Sequence, residues 1–396
     1  MKQKNKKLYK VLLVDFLNLD TCAEIPYLFH KAGCGVTVFC GGKSWLLKNS
    51  FSDSRVAAFW AGPLEFAQEL QNHLLSQQYN WIVPVDDGAL GVLNELVEDE
   101  SLAKKILPLS KMENRVCLWS KAGLSLLCRQ YNIVTPDFAV YMRNKDPLQL
   151  AKSVGYPLVL KIDKSSGGSG VCLCNNKEDL LKNWERLAWE DKQRLVFQKY
   201  ISGDNIAVEG LFREGRLLAY VASKVTQTIE GEFGVSMVRE YSSRIELEPI
   251  LELLGQAMGI NGFGNLTFIR SRSDGKYYLV EADLRPQAWF RLAELAGLDF
   301  SKAIKNYFTS NFELIRPDLE YPRVLRSFNR EIAYSLNGRH RTFSEIIKWI
   351  LNKQSRWQFI PTYDIKLLAN WVWYLAKYGL AESKIWHWQK NWHKVA

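Results

Sequence analysis

The sequence of 396 residues lacks any apolar run of about 18 residues, the minimum for a membrane-spanning helix. Its first residues, "MKQKNKKLYKVLLVDF", are basic, and their apolar run is too short for a secretory signal. Cysteine is sparse, and of the seven scattered residues only Cys172 and Cys174 lie close together, with no histidine nearby. We therefore expect a cytoplasmic protein with reduced, packed cysteines and no cysteine-bound metal.

Several signatures of known chemistry are missing as well. No G-x-G-x-x-G follows the first apolar run, "YKVLLVDF", which argues against a dinucleotide site there. The sequence has neither the P-loop pattern nor the G-x-S-x-G of a nucleophilic serine. The five histidines are His30, His73, His340, His387 and His393. All five lie outside the stretches that carry candidate chemistry, so we assign none of them a catalytic role.

The formal net charge of +10 belongs almost entirely to the last quarter of the chain. Residues 301–396 carry 16 Lys and Arg against 7 Asp and Glu, whereas the remaining residues carry 36 against 35. A nucleic-acid-binding protein would combine such charge with a basic stripe and a known reader motif, and we find no such motif. We therefore expect no nucleic-acid partner.

Tryptophan is concentrated in the same quarter. Seven of the fourteen lie in the last fifty residues: Trp349, Trp357, Trp371, Trp373, Trp386, Trp388 and Trp392. The amphipathic stretches "YDIKLLANWVWYLAKYGL" and "SKIWHWQKNWHK" predict helices and a helical C-terminal subdomain over residues 306–396. Ile385, Trp388 and Trp392 form one helical stripe. We favour packing of this stripe on the protein body over docking to an anionic membrane or acidic carrier protein, or a dimer contact.

Alternation of strands and helices characterises the first part of the chain. The runs "YKVLLVDF", "VTVFC" and "NWIVPV" predict strands, and Asp86 and Asp87 come directly after the third. This order predicts an α/β fold with a doubly wound parallel sheet covered by helices. Further along, "EGLFREGRLLAYVASKV" and "GNLTFIRSRSDGKYYLVEADLRP" predict β-hairpins that turn at Gly215 and at Asp274-Gly275. The length predicts two or three packed units.

A lysine lies inside a predicted strand in "YPLVLKIDKSSGGSGVCL". Alternate side chains of a strand share a face, so Lys161 lies with Val159 and Asp163, and its burial is costly unless an anion meets it. The following loop, "SSGGSG", has three glycines, which let backbone N–H groups turn toward a guest. Together they predict a site for nucleotide phosphates, with an ordinary turn as the alternative.

Two carboxylates close the second hairpin in "YYLVEADLRP". If residues 279–283 are extended, Glu281 and Asp283 share one face, and their repulsion favours a cation between them. Mg²⁺ prefers such oxygen ligands and commonly bridges to phosphates. Arg285 follows on the same face if the strand continues, where it could balance a phosphate or acyl-phosphate oxygen. The alternative is a solvated strand end that carries three charges.

The stretch "VFQKYISGDN" predicts an extended linker whose backbone groups can meet a flat ring, with Gln198 nearby; its alternative is a plain edge strand. Taken in order, these pieces resemble the ATP-grasp superfamily of carboxylate–amine and carboxylate–thiol ligases, from about Tyr9 to Leu298. The resemblance implies an ATP-grasp fold with α+β lobes. Its implied domains are an N-terminal pre-ATP-grasp domain over 1–110 and an ATP-grasp domain over 111–305, with a small lobe at about 136–200 and metal-binding strands at 262–286.

The resemblance also implies which residues meet the cofactors, ATP and Mg²⁺, with Mn²⁺ as a substitute. "SKAGLSLLCRQYNIVTPDF" is similar to the segment that carries the first ATP lysine, and "GYPLVLK" with "SSGGSGV" to the second lysine and the phosphate-covering loop. The implied cofactor-binding residues are Lys121, Lys161, Ser165, Ser166, Gly167, Gly168, Ser169, Gly170, Gln198, Lys199, Tyr200, Ile201 and Asn205. The implied metal ligands are Glu281 and Asp283, and the implied catalytic residues are Arg285 and Lys161.

The sequence departs from the family pattern at three places. The carboxylate that usually holds the ribose aligns with Asn205, whose amide still can hydrogen-bond a hydroxyl. The first metal-ligand position, usually Asp, Glu or Gln, falls on Thr267, with Asn265 as a neighbour that could replace it. The asparagine of the family's E-x-N pair is Asp283, so one oxygen ligand is lost and one charge is gained.

The resemblance implies an ATP-dependent ligase that converts a carboxylate into an acyl phosphate for attack by an amine. The implied partners are an amino acid or another small metabolite, and a homodimer is left open. A thiol acceptor also stays open. The departures at Thr267 and Asp283 keep a second hypothesis, a nucleotide-binding or scaffold protein that retains the fold without turnover.

Overall fold

The structure of the protein is a computed structural model that describes residues 7–142, 145–165, 167–168, 170–187, 194–229, 231–309, 311–327 and 360–378. Within these ranges the strands, in chain order, are β1 Lys10–Asp15, β2 Gly35–Cys40, β3 Ser54–Ala57, β4 Trp81–Pro84, β5 Phe138–Tyr141, β6 Leu158–Ile162, β7 Val171–Cys174, β8 Leu195–Lys199, β9 Gly203–Arg213, β10 Arg216–Thr228, β11 Ser236–Tyr241, β12 Gly262–Ser271, β13 Tyr277–Asp283 and β14 Arg323–Arg326. The α-helices are α1 Ile25–Lys31, α2 Pro63–Ser76, α3 Asp87–Leu96, α4 Glu100–Ile106, α5 Lys121–Gln130, α6 Pro147–Val154, α7 Lys177–Leu187, α8 Glu248–Met258, α9 Ala288–Leu292, α10 Phe300–Phe308 and α11 Ile365–Tyr378.

The first sheet is parallel, with strand order β3-β2-β1-β4. Its strand β1 is buried on both faces: Leu12 and Val14 belong to one apolar core, and Val11 and Leu13 belong to another. This double burial explains why β1 is an almost unbroken apolar run rather than an alternating one. The parallel sheet predicted for the first part of the chain is therefore confirmed.

The second sheet has six strands in the order β13-β12-β9-β10-β11-β14, and their pairs are antiparallel. Both predicted hairpins are present, with Gly215 at φ +84° and Gly275 at φ +72° in their turns. Positive φ is the conformation that glycine adopts without steric cost. Phe212 and Phe268 of this sheet share an apolar core with Leu12 of the first sheet, so the two sheets pack as one body.

The third sheet is smaller and antiparallel, with strand order β5-β8-β6-β7. Helices α6 and α7 accompany it, and a separate apolar core forms around Leu160, Leu180 and Phe197. Its strands fall within residues 136–200, the range of the predicted small lobe, which stays a prediction. The domain boundaries at residues 110 and 305 stay a prediction.

The described part of the C-terminal region contacts the rest of the chain at several places, among them one strand and one helix. Strand β14 pairs with β11 at the edge of the second sheet. Helix α11 lies in the first stretch that was predicted to be helical, and its Trp371 ring lies 4.1 Å from the Trp45 ring. The second stretch, including Ile385, Trp388 and Trp392, lies outside the described residues. A separate tryptophan-rich subdomain therefore stays a prediction.

All seven cysteines lie in the described ranges, where they are buried and free of disulfides, as predicted. Among the described residues, no helix combines the length and apolar character that a membrane crossing requires.

Candidate active site

A cavity of about 510 Å³ is lined by residues from all three sheets and their loops. The predicted site residues that line it are Lys121, Lys161, Ser165, Gly167, Gly168, Gln198, Lys199, Tyr200, Ile201, Asn205, Glu281, Asp283 and Arg285. Ser166 and Ser169 lie outside the described residues. Gly170 does not line the cavity. It packs against Ser165, since a Cβ on Gly170 would lie 2.7 Å from Ser165 Oγ. The structure thus brings together residues that are far apart in the sequence.

Lys161 enters the cavity from strand β6 of the small sheet. The antiparallel register pairs it with Val196 of β8, and Val159, two residues earlier on the same face, also lines the cavity. Burial lowers the pKa of Lys161 to about 8, although Glu281 opposes the shift, and Lys121 adds to it. A lysine with a lowered pKa gains most when an anion reaches it.

Lys121 lies at the first position of α5, after the N-cap residue Ser120. Its Nζ donates to the Ser165 carbonyl oxygen and lies 3.3 Å from both the Ser165 Oγ and the Asp163 carbonyl oxygen. The Asp163 carboxylate accepts bonds from the Ser120 hydroxyl and from the Ala122 N–H at 2.7 Å. Asp163 therefore fixes the start of α5 against the small sheet, so that both lysines face one space.

Two loops meet over this space. Gly167 and Gly168 have φ values of +63° and +77°, and a Cβ on Gly168 would lie 2.0 Å from the Phe233 carbonyl oxygen in the β10–β11 turn. Tyr200 Oη also donates to Glu232 Oε1 of that turn at 2.9 Å. The glycine-rich loop thus approaches the opposite lobe at a distance that only glycine permits.

The linker after β8 presents both side chains and backbone to the cavity. Gln198 is buried and lies opposite Val159 in the register. The N–H groups of Lys199 and Tyr200 bind the carbonyl oxygens of Asp137 at 2.7 Å and Pro157 at 3.1 Å. Those two N–H groups are therefore engaged within the protein, and Lys199, Tyr200 and Ile201 all line the cavity.

The β12–β13 hairpin carries the candidate metal ligands on one face. The register pairs Thr267 with Glu281 and Asn265 with Asp283, as the i, i+2 spacing of the carboxylates predicted, and a bulge follows Thr267. Burial raises the pKa of Asp283 to about 8, and the negative charges of Asp87 and Glu281 act in the same direction. The two carboxylates repel each other, and the amide oxygen of Asn265 beside them is buried without a partner among the described residues. A hard divalent cation would fit these three oxygen ligands.

Arg285 lies just beyond β13, which ends at Asp283, so the strand does not continue to it. Its Nε and Nη2 donate to the two carboxylate oxygens of Asp87, with Nη2–Oδ2 at 2.7 Å, and Asp283 lies 3.7 Å away. The remaining nitrogen, Nη1, is buried and has no hydrogen-bond partner among the described residues. The guanidinium is thus fixed on one side and has one donor nitrogen left for a guest.

Sequence reasoning assigned no role to Asp87, although its position directly after β4 was a usable signal. Arg239 was also missed: it lines the cavity, pairs with buried Glu209 at 2.5 Å, and lies 4.2 Å from the Trp289 ring. Gln287, two residues after Arg285, lines the cavity too, and its Nε2 is buried without a partner among the described residues. Asp87, Arg239 and Gln287 thus add two charged groups and one amide to the cavity lining.

A second carboxylate pair lies behind Asp87. Asp15 at the end of β1 and Asp86 before α3 are both fully buried, and Asp15 accepts a hydrogen bond from the Ser44 hydroxyl. Burial raises the pKa of Asp15 well above its ordinary value, and Asp86 acts in the same direction. Asp86 also caps α3 through the Ala89 N–H at 2.8 Å. This pair therefore fixes the start of the helix that presents Asp87.

Comparison with curated proteins finds relatives of part of the chain, while no family model matches it. The D-alanine–D-alanine ligase B of Pseudomonas putida is 26% identical over 187 residues, which span 43% of this chain and 58% of that protein. The small subunit of the 2-oxoglutarate carboxylase of Hydrogenobacter thermophilus is 26% identical over 174 residues, or 39% of this chain and 35% of that protein. The chain thus spans 58% of the length of the first relative and 35% of the length of the second.

Comparison with solved structures extends over more of the chain. The biotin carboxylase domain dimer of the H. thermophilus 2-oxoglutarate carboxylase, in complex with MgADP, ADP and bicarbonate, has a TM-score of 0.59 at 18% identity, covering 80% of this chain and 72% of that one. The N5-carboxyaminoimidazole synthetase of Staphylococcus aureus has a TM-score of 0.61 at 14% identity, covering 86% and 87%. At these identities the likeness establishes a common fold.

Proposed function

Since this chain belongs to the ATP-grasp superfamily, we propose that it is an ATP-dependent ligase that activates a carboxylate as an acyl phosphate for attack by an amine. The observation that carries the proposal is the convergence of Lys121, Lys161, Glu281, Asp283 and Arg285 on one cavity. Cations gathered around a pair of oxygen ligands are the arrangement that phosphoryl transfer requires. An amino acid or another small metabolite is the proposed substrate class.

The two lobes have separate tasks in this proposal. Lys161 and the loop with Gly167 and Gly168 bind the phosphates from the small sheet, with Lys121 assisting from α5. Gln198 and the linker backbone hold the base, and Asn205 holds the ribose. Glu281 and Asp283 of the second sheet would hold Mg²⁺, which offsets phosphate charge when it is bound.

The chemistry follows from the weakness of a carboxylate as an electrophile. A carboxylate oxygen bonds to the γ-phosphorus as the bond to ADP breaks. The nitrogen of the neutral amine then bonds to the acyl carbon as phosphate leaves, and the nitrogen loses one proton, which the departing phosphate can accept. Arg285, through its unpaired Nη1, is placed to offset the charge on the transferred group. An acyl phosphate hydrolyses in water, so the contact of Gly168 with the Phe233 backbone has the task of excluding solvent.

A biotin carboxylase domain dimer is among the structural neighbours, so a homodimer is the assembly that we propose to test, by sedimentation. Contact with a carrier protein has no support in the described residues and remains the weaker hypothesis for the C-terminal region.

The test is a screen of carboxylates combined with amines for release of ADP and phosphate. Release that needs both substrates, and that is lost in Glu281→Gln, supports the ligase. Glu100→Gln, the same change at an exposed site on α4, is the matched control and should keep full activity. Binding of ATP without release in any mixture would support the nucleotide-binding alternative instead. Release that needs a thiol would assign the acceptor class differently.

A further inference from the structure

The metal site proposed above lacks an acidic residue where the ATP-grasp pattern usually has its first ligand, because that position falls on Thr267. The hairpin register offers two candidates for a third ligand. Thr267 lies opposite Glu281, and Asn265 lies opposite Asp283, so both side chains share the face of the carboxylates. The structure allows a choice between them.

Asn265 is the stronger candidate for the third ligand. Asn265 is 7% exposed, and its Nδ2 lies 3.5 Å from Asp283 Oδ2. Its Oδ1 is buried, and the described residues provide no hydrogen-bond partner for it. A buried oxygen without a partner destabilises a protein unless something meets it, and this one lies beside a carboxylate.

Thr267 is the weaker candidate. Its side chain is partly exposed, so within the described part of the chain its hydroxyl is not a buried group that lacks a partner. Mg²⁺ and Mn²⁺ favour carboxylate and carbonyl oxygens. A neutral hydroxyl is a poorer ligand than either.

The charge of the site supports the same choice. A family site with Glu at its first position has two carboxylates and one amide. In this chain the amide of the E-x-N pair has become Asp283, and the first position has lost its acid at Thr267. If Asn265 is a ligand, the three ligands are again two carboxylates and one amide. The amide then comes from β12 and the second carboxylate from Asp283, whereas the family has the acid on the first strand and the amide in the E-x-N pair.

We propose that Asn265 Oδ1 is the third protein ligand to the divalent cation, together with Glu281 and Asp283, and that Thr267 is not a ligand. This inference rests on one part of the proposed function, namely that a metal–nucleotide complex binds in this cavity. It requires no knowledge of the substrates. Direct metal binding can therefore test it.

The experiment measures Mn²⁺ binding by electron paramagnetic resonance, with and without a non-hydrolysable ATP analogue, in the full chain. Asn265→Ala should weaken Mn²⁺ binding at least about tenfold, the lower end of the loss seen when even an outer-shell partner of a metal is removed. Asn265→Asp should bind Mn²⁺ more tightly than the parent, because affinity rises with ligand charge. Thr267→Val, the matched control, should stay within about twofold of the parent.

The outcomes separate the two levels of the proposal. Parent-like Mn²⁺ binding in Asn265→Ala, or loss of binding confined to Thr267→Val, would overturn the assignment of Asn265 and leave the proposed function intact. A parent protein that binds neither Mn²⁺ nor the ATP analogue would overturn both. If Asn265→Ala fails to fold, Asn265→Asp decides: tighter binding supports the assignment, and unchanged binding contradicts it.

Discussion

Arg285 and Asp87 are 198 residues apart in the sequence, yet they form a buried pair in which two guanidinium nitrogens meet two carboxylate oxygens. Arg285 follows the second strand of the β12–β13 hairpin, and Asp87 is the first residue of α3. The pair therefore connects the proposed reacting centre to the first sheet. It also orients the guanidinium so that Nη1 is the nitrogen without a partner among the described residues.

This pair should be strongly coupled in stability. Asp87→Ala leaves the Arg285 charge buried and uncompensated, so we expect the free energy of unfolding to fall by about 3–5 kcal/mol. Adding Arg285→Met removes that charge, and the double variant should be more stable than the sum of the single variants predicts. Urea unfolding of the four proteins measures the coupling. The exposed pair Lys104–Glu100 is the control and should show little coupling; additive effects at Asp87 and Arg285 would contradict the expectation.

Lys161 should contribute directly to nucleotide affinity. A hydrogen bond to a charged group contributes about 1.5–3 kcal/mol, so Lys161→Ala should weaken ATP binding by about an order of magnitude or more. Lys164→Ala is the matched control, because Lys164 follows in the same segment but is half exposed and paired with Glu95. Titration calorimetry measures both. Equal affinities for the two variants would remove Lys161 from the site.

The lowered pKa of Lys161 predicts a pH dependence of nucleotide binding. Below its pKa of about 8 the free protein carries the ammonium charge, and above it the charge is lost. The affinity for metal-free ATP should therefore fall as the pH rises through 8, and binding near pH 8 should take up a proton. Lys161→Arg keeps its charge throughout this range and should flatten the curve. If the affinity of Lys161→Arg falls equally steeply with pH, the titrating group is not Lys161. Asp283 would then be the next group to test.

The sequence predicted those parts of the site that depend on local periodicity. The position of Lys161 in a strand and the shared face of Glu281 and Asp283 follow from the alternation of side chains along a strand. The contact of Arg285 with Asp87 could not be predicted, because no local pattern encodes a pair formed by the packing of two sheets. The ligand role proposed for Asn265 depends on which residue faces Asp283, and only the register of the hairpin reveals this.

The C-terminal helix should stabilise the protein through one of its tryptophans. Trp371 is 7% exposed and packs against Trp45, so Trp371→Ala should lower the free energy of unfolding by about 3–5 kcal/mol. Trp373, on the same helix, is 56% exposed, and Trp373→Ala should cost less than about 1 kcal/mol. Thermal and urea unfolding compare the two. Similar losses would mean that α11 does not contribute to stability through its contact with Trp45.

The separate core of the small sheet has a mechanical consequence. Because Leu160 and Phe197 belong to a core that is distinct from the one shared by the first two sheets, we expect the small sheet to open as a cooperative unit of its own. A nucleotide in the cavity would touch Lys161 on one unit and Glu281 on the other, and so would act as a crosslink between them. We therefore expect bound nucleotide to raise the free energy needed to open the small sheet, so that this sheet opens together with the rest of the protein.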